Sequence, residues 1–154
     1  MIEEGTPAPD FELPADSGET VRLSDLRGKP VVVYFYPKDD TPGCTKQACG
    51  IRDAWDAFRE ADAVVLGISP DDEESHRRFK ERCSLPFALL ADTDHAVADT
   101  YGAWGERSLY GKTFMGIKRS TFVIDEEGIV ARAVYGVKAD EHAELVLGVL
   151  QAKV

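Results

Sequence analysis

The chain has 154 residues with 18 basic and 28 acidic side chains, which gives a net charge of −10. This length predicts one domain over residues 1–154. The acidic balance excludes nucleic acid as a main partner, because phosphate binding requires clustered Lys and Arg, and it disfavours a membrane surface. There is neither an apolar run of about 20 residues nor a signal peptide, so we expect a cytoplasmic protein without membrane contact.

Hydrophobic periodicity predicts alternating strands and helices. Val31–Tyr36 is a continuous β-branched and aromatic run, typical of a strand buried on both faces. Further strands are expected at Phe11–Leu13, Thr20–Leu23, Ala63–Ile68, Phe87–Leu90, Ser120–Ile124 and Ile129–Tyr135. Helices are expected at 44–58, 70–83, 93–101 and 140–152, with Ser69 as the cap of the second and an irregular segment at 102–118. This order indicates an α/β fold with a mixed central sheet flanked by helices and an N-terminal β-hairpin.

One segment places a cysteine at the start of a helix. Residues 37–44 leave the buried strand, cross a short loop and bring Cys44 into the first helical turn. Unpaired backbone N–H groups and the positive end of the helix dipole favour a thiolate there, and the thiolate is the nucleophilic form of cysteine. Thr41 lies within reach of whatever the sulfur attacks. Pro42 and Gly43 leave little packing reason for a thiol, so we interpret Cys44 as a reactive residue.

The other two cysteines are less clear from the pattern alone. On a helical wheel Cys49 falls about 140° from Cys44, on the polar side, so packing explains it poorly. The Cys-x4-Cys spacing matches neither a thioredoxin-type Cys-x-x-Cys pair nor a zinc site. Cys83 shares a face with Phe79 and is predicted to be an inert core thiol.

The sequence around Cys44 resembles a known family. The motif Pro37-x-x-x-Thr41-x-x-Cys44 is similar to the peroxiredoxin active-site motif. The runs at 5–33, 34–53 and 111–125 resemble the bacterioferritin comigratory protein, or Q-type, subfamily. The resemblance covers nearly the whole chain and implies a thioredoxin-like fold. It also implies reduction of hydrogen peroxide and organic hydroperoxides without a cofactor or metal, recycling by thioredoxin or a similar reductant, and a monomer.

The same resemblance implies roles for individual residues. Cys44 is expected to be the peroxidatic cysteine, with Thr41 orienting the peroxide and Pro37 shielding the pocket. Arg119 is expected to stabilise the thiolate and the transition state, together with the backbone N–H groups of Gly43 and Cys44. Cys49 matches the resolving cysteine of members that carry one five residues on. Other members place the resolver on the next helix, at a position similar to Cys83, so this assignment stays open.

Two further functions compete with the peroxidase. One is a protein thiol–disulfide oxidoreductase, and the other is a peroxide-responsive redox sensor that acts as a binding module. Thr41 together with Arg119 favours the peroxidase, because neither alternative requires them. The histidines His76, His95 and His142 are predicted to be solvated.

A helix that carries both cysteines predicts local unfolding. Residues five apart in an intact α-helix have Cα atoms about 8.6 Å apart, whereas a disulfide allows roughly 4.4–6.8 Å. A Cys44–Cys49 bond therefore requires the helix to open. Because Gly50 weakens a helix by about 1 kcal/mol, the opening is expected to span residues 43–51.

Overall fold

The computed structural model describes residues 2–152; Met1 and residues 153–154 of the expected domain lie outside the described residues. The strands, in chain order, are β1 Glu12–Pro14, β2 Thr20–Arg22, β3 Val31–Phe35, β4 Val64–Ser69, β5 Ala88–Ala91, β6 Trp104–Leu109, β7 Lys112–Ile117, β8 Ser120–Ile124 and β9 Val130–Tyr135. The α-helices are α1 Pro42–Asp53, α2 Trp55–Glu60, α3 Glu73–Cys83, α4 Ala96–Thr100 and α5 His142–Gln151.

The central sheet has five strands in the order β5-β4-β3-β8-β9. Strands β5, β4 and β3 are parallel, while β8 and β9 pair antiparallel, so the predicted mixed sheet is confirmed. All five residues of β3 are buried, as its continuous apolar run predicts. The predicted N-terminal hairpin is also confirmed, with β1 and β2 pairing antiparallel around a tight turn.

Alternate residues of β3 supply two apolar clusters, one on each face of the sheet. Val31, Val33 and Phe35 pack with the N-terminal hairpin and the α4 region. Val32, Tyr34 and Tyr36 pack with α1, α3 and α5. The second cluster includes Cys44 and Cys83, so the face that carries these three helices also carries the cysteine chemistry.

Three of the predicted boundaries are wrong. The first helix does not run to Phe58 but breaks at Ala54, which separates α1 from α2. Helix α3 is capped by Asp72, whose side chain accepts a hydrogen bond from the Ser75 N–H, and not by Ser69. Residues 102–118 are not irregular, because β6 and β7 form an antiparallel hairpin. Its largely exposed strands lack the alternation of apolar and polar residues that identifies a half-buried strand in sequence.

The expected solvation of the histidines is also wrong. His76 and His142 are fully buried, and His95 stacks on Trp104 with ring centroids 3.7 Å apart. Within residues 2–152, no helix has the length and apolar character needed to cross a membrane.

Candidate active site

The loop between β3 and α1 is held by a buried polar network centred on Asp39. Its carboxylate accepts hydrogen bonds from Tyr36 Oη at 2.6 Å and from Ser75 Oγ at 2.8 Å. The same carboxylate lies 2.7 Å from His76 Nδ1, with both side chains almost fully buried. The Asp39 N–H donates to Asp71 Oδ2 at 2.7 Å. Because both the side chain and the backbone of Asp39 are anchored to the region of α3, the loop presents the start of α1 in a fixed position.

Helix α1 begins directly after this loop. Asp40 adopts a left-handed conformation with φ of 61°, which an aspartate tolerates and which turns the chain into the helix. Thr41 is the N-cap, Pro42 is the first helical residue, and Thr45 N–H donates to Thr41 O at 2.8 Å. The N–H groups of Gly43 and Cys44 lie in the first turn, where no intrahelical acceptor is available. They remain able to bind an oxygen atom placed beside the Cys44 sulfur.

Arg119 brings a positive charge to that sulfur from the other side of the site. It lies in the short link between β7 and β8, and its backbone carbonyl accepts the N–H groups of Gly136 and Val137. Its Nη2 lies 3.5 Å from Cys44 Sγ. Its Nη1 donates to Gln47 Oε1, one turn further along α1. The guanidinium is therefore held at two points, and its charge stabilises negative charge on the sulfur.

Glycine at position 43 gives the guanidinium its space. A Cβ at this position would lie 3.1 Å from Arg119 Nη2, which is tighter than an ordinary contact. Cys44 itself is only 2% exposed. The sulfur is thus buried and flanked by backbone donors and a cation.

Three buried polar side chains near this site have atoms without a hydrogen-bond partner. They are the Tyr34 hydroxyl, Gln47 Nε2 and both ring nitrogens of His142. His142 packs on Tyr34 with ring centroids 5.1 Å apart. Burial, together with the nearby charge of Arg119, lowers the pKa of His142 to about 3. Burial also raises the pKa of Tyr34 well above its ordinary value. Both groups are therefore neutral at pH 7, and Arg119 keeps the only positive charge among them.

Cys49 does not face solvent as the helical wheel predicts. It is half-buried and packs against the cluster that contains Cys83. Burial together with the nearby Cys49 thiol raises the pKa of Cys83 to about 11. The helical wheel predicted the exposure of Cys49 wrongly because it considers only the residues of one helix. In the structure α3 covers the side of α1 that the pattern marks as polar.

The structure brings together Cys44, Gly43, Arg119 and the N-cap Thr41, while Cys49 and Cys83 form a second group on the α3 side. The Thr41 hydroxyl donates to Lys38 O at 2.9 Å, and Pro37 is half-buried at the start of the loop. Phe114 and Met115 are exposed on β7. Within the described chain, no group of three or more His, Cys, Asp or Glu could hold a metal ion.

Sequence reasoning missed Asp39, His76 and Gln47. Their partners lie between 3 and 72 positions away in the chain. Of these contacts only the pair of Tyr36 and Asp39 is local, and it lies in a loop without periodicity. Nothing in the sequence pattern alone marks these residues.

Comparison with known proteins gives one consistent family. The AhpC/TSA family model matches residues 5–133. Peroxiredoxin Bcp of Bacillus subtilis is 50% identical over 150 residues, covering 97% of this chain and 96% of the relative. Peroxiredoxin Bcp of Escherichia coli is 47% identical over 150 residues, with the same shares.

A solved structure supports the same assignment. The bacterioferritin comigratory protein of Xanthomonas campestris, described for its alkyl peroxide reduction activity, has a TM-score of 0.91 and 35% identity. The match covers 98% of this chain and 99% of that one, which confirms the thioredoxin-like peroxiredoxin fold. The chain therefore belongs to the AhpC/TSA family and, within it, to the Bcp or Q-type peroxiredoxins, which are thiol-dependent peroxidases.

Proposed function

We propose that Cys44 is the nucleophile that reduces hydrogen peroxide and organic hydroperoxides. The observation that carries this assignment is the 3.5 Å contact between Arg119 Nη2 and Cys44 Sγ at the start of α1. The guanidinium and the first-turn N–H groups provide fixed donors where charge develops in the transition state. The alkyl peroxide activity described for the Xanthomonas campestris relative supports organic hydroperoxides as substrates.

The first step is an attack of the Cys44 thiolate on one peroxide oxygen. The S–O bond forms, the O–O bond breaks, and the alkoxide or hydroxide that leaves takes up a proton. Thr41 already donates its hydroxyl proton to Lys38 O, so its oxygen lone pairs face outward as acceptors for the peroxide O–H. Pro37, half-buried beside this loop, restricts water at the same edge of the site.

The second step removes the sulfenic acid formed on Cys44. A Cys49 thiol condenses with it, which forms the S–S bond and releases water. We propose Cys49 as the resolving cysteine, with Cys83 as the alternative. The Cys49 route requires Cys44 to leave its buried position, because residues five apart in an intact helix have Cα atoms about 8.6 Å apart, too far for a disulfide. A dithiol reductant such as thioredoxin then reduces the disulfide.

We propose that the protein is cytoplasmic, because an odd number of cysteines is not typical of a secreted disulfide framework. We propose that it acts as a monomer formed by one domain. Light scattering at several protein concentrations tests this, since a mass of twice 16.9 kDa would contradict it.

The two competing functions receive less support from the site. A protein disulfide must approach an attacking sulfur in line, and Cys44 at 2% exposure is inaccessible to such a partner in the folded state. A sensor does not need a guanidinium held on the thiol and on Gln47. The peroxidase uses both features.

Stopped-flow measurement of the reduced protein with hydrogen peroxide and with an alkyl hydroperoxide tests the proposal. One equivalent of peroxide should be consumed rapidly, and thioredoxin with its reductase should sustain turnover. Cys44→Ser should lose both activities, because a serine hydroxyl is a far weaker nucleophile at neutral pH. Cys49→Ser should keep the first reaction and lose the disulfide. Appreciable turnover by the Cys44→Ser variant would remove Cys44 from this role.

A further inference from the structure

Cys49 of α1 packs against the apolar cluster that contains Cys83 of α3. The Cys49 thiol is near enough to contribute to the raised pKa of Cys83. Arg52, one turn beyond Cys49, donates from Nη1 to Cys83 O at 2.6 Å. This carbonyl belongs to the last residue of α3, where helical carbonyls lack internal partners. The bond therefore fixes the end of α3 to α1 at the level of the two thiols.

We propose that Cys83 takes over the disulfide from Cys44, so that a Cys49–Cys83 bond is the form that the reductant meets. The inference rests on the proposed function, which supplies the Cys44–Cys49 disulfide. The Cys83 sulfur attacks Cys49 Sγ, the Cys49–Cys83 bond forms, and the Cys44–Cys49 bond breaks. The electron pair leaves with Cys44 as a thiolate, and the Cys83 proton goes to solvent. The exchange needs no further oxidant or reductant.

The direction of this exchange follows from the helix. A Cys44–Cys49 bond is incompatible with intact α1, since the Cα atoms would lie about 8.6 Å apart. Cys49 and Cys83 lie beside each other while α1 is intact, so a bond between them lets α1 close again. The released Cys44 then returns to Arg119 and the first-turn N–H groups, which stabilise its thiolate and favour the exchanged state.

Burial, and then Cys49, raises the pKa of the Cys83 thiol to about 11. Little Cys83 thiolate is therefore present at pH 7, and the exchange should become faster as the pH rises.

We call this exchange of disulfides the relay. The different exposures of Cys44 and Cys49 show what the relay achieves. Cys44 is 2% exposed, whereas Cys49 is half-exposed. A dithiol reductant must bring its sulfur into line with a disulfide, and Cys49 is less buried than Cys44. The relay moves the disulfide away from Cys44 and returns Cys44 to its position beside Arg119.

Peptide mapping distinguishes the three possible bonds. Trypsin should place Cys44 in residues 39–46, Cys49 in 47–52 and Cys83 in 83–107, so every pairing has its own mass. The reduced protein is mixed with one equivalent of peroxide, quenched with acid at increasing times, alkylated and digested. The Cys44–Cys49 pair should appear first and the Cys49–Cys83 pair should replace it as the major species. In Cys83→Ser and Cys83→Ala the first pair should persist.

Peroxide consumption is recorded in the same samples. If peroxide is consumed and the Cys44–Cys49 pair persists in the wild type, or a Cys44–Cys83 pair replaces it, the relay is wrong and the proposed function stands. If no peroxide is consumed, the proposed function fails and the relay fails with it. Diamide oxidation of Cys44→Ser, which needs no peroxidase step, should link Cys49 to Cys83. Failure to form this link would contradict the contact on which the relay depends.

Discussion

The two faces of α1 carry cysteines in opposite surroundings. Cys44 is buried beneath a guanidinium that is held by a second hydrogen bond. Cys49 is half-exposed, lies beside the Cys83 thiol and is close to an arginine that binds the end of α3. One face holds a fixed charge for reaction with a small molecule, and the other holds an exchangeable pair of sulfurs.

One short helix therefore separates two kinds of sulfur chemistry. Attack on peroxide needs donors that do not move, and these come from a loop and a link anchored to the sheet. Thiol exchange needs approach and departure of sulfurs, which a half-exposed helix face allows. Substitutions on one face of α1 should therefore not change the reaction of the cysteine on the other face.

The largest effect is expected from Asp39→Ala. This change leaves His76 and the Tyr36 hydroxyl without their buried partner, and each buried polar group left unsatisfied typically costs about 1–3 kcal/mol. Urea unfolding should show a loss of this size in the free energy of unfolding. Ser75→Ala is the matched control, because it removes one hydrogen bond to the same carboxylate and should cost about 1 kcal/mol. Equal losses in the two variants would contradict a central role for Asp39.

Arg119→Lys tests the Cys44 face alone. A lysine keeps the charge but cannot hold Cys44 and Gln47 with two fixed donors, so the rate of peroxide attack should fall about 100-fold. Stopped-flow kinetics measure the rate, and diamide linking of Cys49 to Cys83 in the same variant should be unchanged. Wild-type peroxide kinetics would mean that net charge alone matters at this position.

His142 makes the Cys44 face sensitive to acid. Its pKa of about 3 in the folded protein lies below its ordinary 6.5, so between these values the unfolded chain binds a proton that the folded chain does not. The contribution to stability is therefore present above about pH 6.5 and falls as the pH decreases, by about 1.4 kcal/mol per unit. At pH 5 this amounts to about 2 kcal/mol.

His142→Phe should remove this dependence, since phenylalanine does not titrate. Chemical unfolding of both proteins between pH 7.5 and about 4.5 measures it, with the difference between them growing as the pH falls. Parallel pH profiles for the two proteins would show that His142 is protonated as readily when folded as when unfolded.

The order of elements and the identity of the reactive cysteine could be predicted from the sequence because both depend on local patterns. The buried run of β3 and the position of Cys44 in the first turn of α1 need only neighbouring residues. The burial of His76 could not be predicted, because its partner Asp39 lies 37 positions away. The contact of Cys49 with Cys83 likewise depends on how α3 packs against α1, which no single-helix pattern contains.

The extent of helix opening is a second place where packing changes the sequence-based expectation. Gly50 suggested that oxidation opens residues 43–51, but Ala48 and Ile51 are fully buried. Opening through them would expose apolar surface at about 25 cal/mol per Å². We therefore expect hydrogen exchange of the Cys44–Cys49 form to lose protection at 43–47 and to keep it from Ala48 onward.

The smallest effects separate the two faces with a matched pair of glycine substitutions on α1. Gly43→Ala places a Cβ 3.1 Å from Arg119 Nη2, which displaces the guanidinium by a few tenths of an ångström and should slow peroxide attack several-fold.

Gly50→Ala places a Cβ 3.8 Å from Ala143 Cβ, an ordinary contact, so it should stabilise the reduced protein by up to about 1 kcal/mol. If opening ends before Ala48, Gly50→Ala should also leave the rates of peroxide attack and of Cys44–Cys49 formation unchanged. Stopped-flow kinetics and acid-quenched peptide mapping measure the two rates. About fivefold slower disulfide formation in Gly50→Ala, the effect of a 1 kcal/mol increase in the barrier, would show that the opening includes Gly50 after all.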